Sequence, residues 1–297
     1  MKKLIILFSI ALTYVCAQMP AVILSSFAAT DKLLLALENG CIFEEEKELF
    51  CVKDFAKNEK FLSLDFYQDK YLLLTLKEVQ GKNIRSIMLF DKDFKEEIST
   101  ELSGDFSKAF LLDDGILLSS PASELIIVNK ELDTMKSIRF GTTVMGAVKL
   151  DEKRERVALA FEGGNARIFD LLNWQELANL DLHKDNVQNL DFHKNSLLTC
   201  STDRRLVLTV AKDESFREVK STVINSDFLV YFCALDDEYL AYTCGVDNDI
   251  CLLKRSSMSL LKKYDNENYY LSKIAFFKNK IFLQDFSKKI ILKNIKE

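Results

Sequence analysis

Few residues in this chain could carry out nucleophilic or metal chemistry, because it contains only two histidines, His183 and His193. A Ser–His–Asp triad or a zinc site would have to use one of them. The sequence has no His-Glu-x-x-His, no Gly-x-Ser-x-Gly and no Gly-rich phosphate loop, and Gly163-Gly164 fits a tight β turn. His193 follows a predicted strand end and is expected to face solvent. We therefore expect no catalytic residue, no metal and no cofactor.

The cysteines allow two interpretations. With Asp247-Asn248 as a two-residue loop, Cys244 and Cys251 lie opposite each other across a hairpin, and Cys41 and Cys51 flank another turn. Opposite residues of a hairpin are close enough for a disulfide, so both pairs are possible bridges. The alternative, which we favour, is that the cysteines are small buried hydrophobic residues. Neither pair is Cys-x-x-Cys, so a redox or haem-attachment site is not expected.

Acidic clusters are the remaining candidates for ligand binding. They occur at Glu44–Glu48, Asp113-Asp114, Asp151–Glu155 and Asp236–Glu238. None has the Asp-x-Asp-x-Asp-Gly spacing of a calcium loop, so we expect solvated turns. The single tryptophan, Trp174, follows a predicted hairpin and either packs at a sheet edge or marks an interaction hot spot.

The elements that must position these residues repeat along the chain. Each repeat has an apolar run, a polar turn and a second apolar run. The seven hairpins are Leu33–Phe43, Tyr71–Leu89, Ile116–Val128, Val157–Asp170, Leu197–Val210, Leu240–Leu253 and Ile281–Leu292. Their first residues are 38 to 45 apart, a period typical of four-stranded propeller blades. A strand is expected before and after each hairpin, for example Phe228–Leu235 before the sixth hairpin and about Phe216–Thr222 after the fifth. The sequence therefore predicts an all-β propeller of about seven four-stranded blades.

The last repeat is incomplete. Leu271–Glu297 supplies three predicted strands, whereas a blade needs four. An apolar segment, Ala21–Ala28, lies near the N-terminus without an assigned blade. We therefore expect this N-terminal strand to close the last blade.

The fifth repeat resembles a WD repeat in the order and spacing of its residues. The residues that carry this resemblance are His183, Val187, Leu190-Asp191-Phe192, Leu197–Ser201 and Asp203, and Asn165–Asp170 of the fourth repeat is similar to the closing strand of that motif. The resemblance implies a structural hydrogen-bond network of His183, Thr199 and Asp203. The tryptophan that completes the network in that family would fall at Thr209, so the network is expected to be incomplete.

The N-terminus has the pattern of a secretory signal peptide. Lys2 and Lys3 precede the apolar run Leu4–Val15, and Val15-Cys16-Ala17 offers a cleavage site before Gln18. A buried strand, a short membrane anchor or a lipoprotein acylated at Cys16 are the alternatives. We expect a signal peptide at residues 1–17, a propeller domain at residues 18–297, a periplasmic location and no membrane span after cleavage. The acidic net charge of −5 also makes nucleic acid an unlikely partner.

The leader, the length, the Lys/Phe/Asn-rich divergent repeats and the WD-like run His183–Val210 together resemble NapL-type periplasmic nitrate reductase accessory proteins. This resemblance implies a non-catalytic propeller that binds a protein partner, the components of a periplasmic nitrate reductase, and holds no cofactor of its own. A monomer is expected.

Two other function classes remain open. One is an outer-membrane assembly scaffold. The other is a propeller enzyme of the quinoprotein or lactonase type. Quinoproteins carry repeated Trp and Gly signatures, whereas this chain has one Trp and nine Gly. Calcium lactonases use a ring of Asn and carboxylate groups, for which only Asn186, Asn189 and Asp191 of one repeat are suitable.

Overall fold

The structure is a computed structural model that describes residues 24–29, 32–45, 47–141, 143–246, 249–265, 271–278, 280–285 and 290–295. These residues form strands joined by turns and short connections. None of them belongs to a helix that could cross a lipid bilayer. The predicted signal peptide, residues 1–17, lies outside the described residues.

The described strands form seven antiparallel sheets, and each sheet is built from strands that are consecutive in the chain. Sheet 1 contains β1 (Leu24–Ala29), β2 (Leu33–Leu37), β3 (Cys41–Glu44) and β4 (Lys47–Cys51), and sheet 2 contains β5 (Glu59–Tyr67), β6 (Lys70–Val79), β7 (Lys82–Phe90) and β8 (Glu96–Leu102). Sheet 3 contains β9 (Lys108–Leu112), β10 (Gly115–Ser120), β11 (Glu124–Val128) and β12 (Thr134–Arg139), and sheet 4 contains β13 (Met145–Leu150), β14 (Arg156–Phe161), β15 (Asn165–Asp170) and β16 (Glu176–Asp181). Sheet 5 contains β17 (Val187–His193), β18 (Ser196–Ser201), β19 (Arg205–Ala211) and β20 (Val219–Asn225), and sheet 6 contains β21 (Cys233–Leu235), β22 (Tyr239–Cys244), β23 (Asp249–Lys254) and β24 (Ser259–Tyr264). Sheet 7 contains β25 (Leu271–Phe277), β26 (Lys280–Asp285) and β27 (Ile290–Asn294).

The chain divides into two compact units. The first comprises Met1–Leu102 with Lys288–Ile290, and the second comprises Ser103–Ser287 with Ile291–Glu297. The core of the first unit packs β2, β3, β5 and β6 around residues such as Leu34, Ile42 and Leu73. The second unit has a separate core cluster between each pair of successive sheets from sheet 3 to sheet 7.

Burial falls from the second to the fourth strand of each sheet, which explains the sequence pattern. Every residue of β10, β14 and β18 is buried, because both faces of these strands are covered and both must therefore be apolar or hydrogen-bonded. The fourth strands β12 and β20 are largely exposed and correspondingly polar. The hairpin phrases of the sequence are thus the second and third strands of the sheets.

The expectation that the N-terminal segment closes the last blade is wrong. Strand β1 instead pairs with β2 and begins sheet 1, with Phe27 opposite Leu35 and Ala29 opposite Leu33. Only a short connection separates β1 from β2, so this local pairing costs little loop-closure entropy. Sheet 7 has three strands among the described residues.

The predicted strand bounds also change in sheets 5 and 6. The segment Phe228–Leu235 was expected to form a full lead-in strand, but β21 covers only Cys233–Leu235. The polar strand expected at about Phe216–Thr222 lies later, as β20. Phe216 itself is buried with a positive φ of 55° and fills the core between sheets 4 and 5, so it cannot continue an extended strand.

Candidate functional site

The three residues of the WD-like motif meet in sheet 5. His183, in the connection before β17, places Nε2 at 2.8 Å from Thr199 Oγ1 on β18. Its Nδ1 is 3.1 Å from Asp203 Oδ1 in the turn between β18 and β19. Because a carboxylate only accepts hydrogen bonds, Nδ1–H donates to Asp203 and Nε2 accepts from the Thr199 hydroxyl. The motif therefore joins a loop, a strand and a turn of one sheet.

Neighbouring hydrogen-bond donors stabilise the ionised form of Asp203. Its Oδ2 accepts the backbone N–H of Lys184 at 2.9 Å and the Nε–H of Arg205 at 2.8 Å. Burial alone would raise the pKa of Asp203, but these bonds and His183 outweigh burial and lower it. Burial lowers the pKa of His183 despite its bond to Asp203, so the imidazole is neutral at pH 7. The network is a closed structural unit in which every polar atom has a protein partner.

Thr209 occupies the position at which a WD repeat has its tryptophan, and it makes a different hydrogen bond. The Oγ1 of Thr209 on β19 lies 2.8 Å from Ser221 Oγ on the neighbouring β20.

A close backbone contact anchors the loop that carries His183. At Gly164, with φ of 90°, a Cβ atom would lie 2.4 Å from the carbonyl oxygen of His183. Gly163-Gly164 is thus a β turn in which the second residue must be glycine.

His193 differs from its sequence-based expectation, because it bridges three sheets. Its Nδ1 pairs with Glu152 of the β13–β14 connection, and its Nε2 lies 2.9 Å from Asp237 Oδ1 after β21. Hydrogen bonding to Glu152 and Asp237 raises the pKa of His193 in spite of its partial burial. The pKa of Asp237 is lowered to about 2, first by its bond to Lys194 and then by His193. Burial would raise the pKa of Glu152, but its bonds to His193 and to the backbone N–H of Lys194 lower it to about 2. Nothing in the local sequence indicates these partners, which come from separate repeats.

One acidic turn is not solvated as expected. Asp151 is 3% exposed, and its Oδ2 accepts the Nε–H of the equally buried Arg156 at 2.9 Å. The Arg156 guanidinium also donates to the carbonyl oxygen of Lys194 at 3.2 Å, and to Asn195 Oδ1 at 3.3 Å. The pair thus connects sheet 4 to sheet 5 and is part of the core. By contrast, Asp113-Asp114 is exposed as predicted.

Both possible cysteine pairs form disulfides, whereas Cys200 and Cys233 are free and buried. Cys41 and Cys51 are opposite each other, with a Cα–Cα distance of 3.9 Å. The register predicted for the second pair is wrong: Cys244 lies opposite Asp249, and Cys251 lies opposite Tyr242. The Cys244–Cys251 bridge is therefore diagonal across a longer turn, with a Cα–Cα distance of 5.8 Å. The disulfide thus forms without the two-residue loop that was expected.

One group of possible metal ligands occurs among the described residues. It consists of Cys41, Glu48 and Cys51, whose ligand atoms lie within 4.8 Å of one another. Both sulfurs are used in the disulfide, so neither is available as the thiolate that a soft metal requires. These residues do not fit a metal centre.

Exposed apolar side chains concentrate in the second unit, on the outer strands and connections. They include Met135 on β12, Val223 on β20, and Leu260 and Leu261 on β24. Leu172, after β15, is 93% exposed. Nearby, Trp174 packs on the core between sheets 3 and 4, and Lys136 Nζ lies 5.2 Å from the centre of its ring. Trp174 thus packs at a sheet edge, beside the exposed Leu172.

Comparison with known proteins identifies the fold. The β-propeller domain of Cps50 (Swd1) from Myceliophteria thermophila is similar with a TM-score of 0.72 and 11% identity, over 93% of this chain and 98% of that chain. The fold is a WD40-like β-propeller. The computationally designed protein Ika8 is also similar, with a TM-score of 0.68 and 12% identity, over 92% of this chain and 83% of that chain. No protein-family model matches the chain, and no curated protein matches its sequence. The predicted seven-bladed all-β class is confirmed.

Proposed function

We propose that this protein is a non-catalytic, exported β-propeller that binds a protein partner and assists the maturation or activity of a periplasmic nitrate reductase. The observation that carries the proposal is the WD40-like fold, since propellers commonly mediate protein interactions. The exposed apolar side chains of the second unit, such as Leu172 and Leu260, supply the kind of surface that a partner would cover.

The proposed location is supported by the cysteines. Disulfides persist in oxidising compartments such as the bacterial periplasm and are rare in the cytosol. Two of them, Cys41–Cys51 and Cys244–Cys251, are present among the described residues. The choice of a nitrate reductase as partner rests on the resemblance to NapL-type proteins and is the finer part of the proposal.

The test is affinity capture with the tagged protein from periplasmic extract of nitrate-grown cells of its source organism, with quantitative mass spectrometry of the bound fraction. We expect enrichment of nitrate reductase subunits, reduced several-fold by Leu260→Asp and unchanged by Thr134→Asp at an exposed polar position. Capture of the β-barrel insertion machinery, or of general chaperones alone, would contradict the reductase assignment. A reciprocal capture with tagged reductase provides the confirmation.

A further inference from the structure

Two free thiols meet where sheets 5 and 6 pack together. Cys200 lies on β18, Cys233 is the first residue of β21, and these two strands are in contact. The Sγ of Cys200 lies 3.6 Å from the carbonyl oxygen of Asn189 on β17, and the Sγ of Cys233 lies 3.9 Å from the same oxygen. Sulfur atoms from two different sheets are thus placed around one atom.

Both thiols are enclosed in the core. Cys200 is 0% exposed and Cys233 is 2% exposed, and both belong to the apolar cluster between sheets 5 and 6. Burial, and then a hydrogen bond with Cys200, raise the pKa of the Cys233 thiol well above its usual value. Because the thiolate is the form that reacts, the closed protein keeps Cys233 protonated and unreactive.

The segment directly before Cys233 is attached through one side chain in particular. The backbone N–H groups of Tyr231 and Phe232 both donate to Thr243 Oγ1 on β22, at 2.9 and 3.2 Å. The connection 226–232 contains no strand, and β21 itself has only three residues. Thr243 therefore anchors an irregular segment beside the two thiols.

We propose that Cys200 and Cys233 are a redox-active pair, which forms a disulfide between sheets 5 and 6 when the segment 226–232 opens. The oxidant is an external disulfide of the glutathione class. One cysteine thiolate attacks this disulfide, which forms a mixed disulfide with the protein and releases one glutathione thiol. The second cysteine then attacks the mixed disulfide and releases the other glutathione thiol. The protein loses two electrons and two protons, and one glutathione disulfide becomes two glutathione molecules.

Such a bridge would differ from the two disulfides already present, each of which closes a hairpin within a single sheet. A bond between Cys200 and Cys233 would join adjacent sheets and close a longer loop, so it would restrict the unfolded chain more strongly. The oxidised protein would have sheets 5 and 6 fastened together, whereas the reduced pair leaves their contact free to open.

The test uses the purified protein without a partner, so a negative result leaves the proposed function untouched. The protein is incubated with oxidised glutathione under native conditions, then unfolded, alkylated, digested and analysed by mass spectrometry. We expect both free thiols to disappear and a peptide to appear in which Cys200 is linked to Cys233. The melting temperature of the oxidised protein should rise by several degrees.

Two variants test the opening and the chemistry. Thr243→Val removes the hydroxyl that anchors the segment 226–232 and should speed the linkage several-fold. The matched control Thr134→Val, at an exposed position of β12, should react at the wild-type rate. In Cys200→Ala the remaining thiol has no partner, so Cys233 should retain glutathione as a mixed disulfide.

Three results for the wild type would overturn the pair. The first is glutathione retained on Cys200 or Cys233 without a link between them. The second is a link from either residue to Cys244 or Cys251, which would show rearrangement of an existing disulfide. The third is retention of both thiols under native conditions when the unfolded protein is oxidised. Equal rates for Thr243→Val and the wild type would contradict opening at the segment 226–232.

Discussion

At the residue scale, the chain uses its two histidines in opposite ways. His183 is buried and neutral within a hydrogen-bond network that is local to one repeat, and the resemblance to a WD repeat indicated its partners Thr199 and Asp203. His193, whose pKa is raised, pairs with Glu152 and Asp237 of other repeats. Local motifs are visible in a sequence because their residues keep fixed separations, whereas contacts between repeats leave no such spacing.

The His183 network predicts a stability effect at Thr199. Thr199→Val keeps the shape of the side chain but leaves His183 Nε2 buried without a hydrogen-bond partner. We expect a loss of about 1–3 kcal/mol in the free energy of unfolding, measured by urea denaturation. Thr134→Val, at an exposed position of β12, is the control and should change stability by less than about 0.5 kcal/mol. Equal effects of the two substitutions would show that the network contributes nothing.

The bridge at His193 predicts a pH dependence. Its pKa is raised in the folded protein, so the stabilisation is complete below the ordinary value of 6.5 and is lost as the pH rises through the raised value. Glu152 and Asp237, with pKa values of about 2, stay ionised throughout this range. The wild type should exceed His193→Gln in stability by up to about 1 kcal/mol at pH 5.5 and by less at pH 8.5. Comparing the two proteins cancels the contribution of His183. A difference that grows with pH would contradict the bridge.

At the element scale, the hairpins formed by the second and third strands were predictable from the sequence, whereas the strands at the sheet edges were less so. The apolar second and third strands were recognisable because both of their faces are buried, as in β14 and β18. First strands alternate buried and partly exposed residues, as in β9 and β17, and give a weaker pattern. Accordingly, β21 was overestimated and β1 was assigned to the wrong sheet. The hairpin register at Cys244 also differed by two residues from the two-residue loop expected there, because the turn is longer.

The two disulfides close short hairpin loops and should stabilise them by restricting the unfolded chain. Replacing Cys41 and Cys51 together by Ser is expected to cost about 2–3 kcal/mol, from the entropy of closing a loop of this size. The reductant tris(2-carboxyethyl)phosphine should lower the melting temperature of the wild type, and less so that of the double variant. Cys200→Ala, at a free thiol, should retain the full sensitivity to reductant. No response of the wild type to reductant would contradict the bridges.

At the scale of the whole molecule, the fold class was predictable and the partner was not. A period of about 41 residues with buried hairpins is a property of the complete chain, and solved propellers with 11–12% identity share the fold. Such low identity shows that the hydrophobic pattern, and not particular side chains, specifies this architecture. For the same reason the architecture does not identify the partner.

Export is a property of the whole chain, and the N-terminus and mass of the recovered protein test it directly. We expect the protein recovered from the periplasm to begin at Gln18, with a mass that corresponds to two disulfides and two free thiols. Intact mass spectrometry before and after alkylation measures both features. A chain that keeps residues 1–17, or one found reduced in the cytosol, would contradict the proposed location. An acylated Cys16 would instead show the lipoprotein alternative.

The sequence by itself determined the repeat, the all-β class and the His183–Thr199–Asp203 motif, because each depends on separations of a few tens of residues or fewer. Only the tertiary structure decided that β1 begins sheet 1, that Asp151 is buried against Arg156, and that Asp191 contacts both Lys149 and the backbone of Leu235. These features arise where strands from distant repeats meet. Their contacts depend on how sheets pack side by side, which no local pattern of residues records.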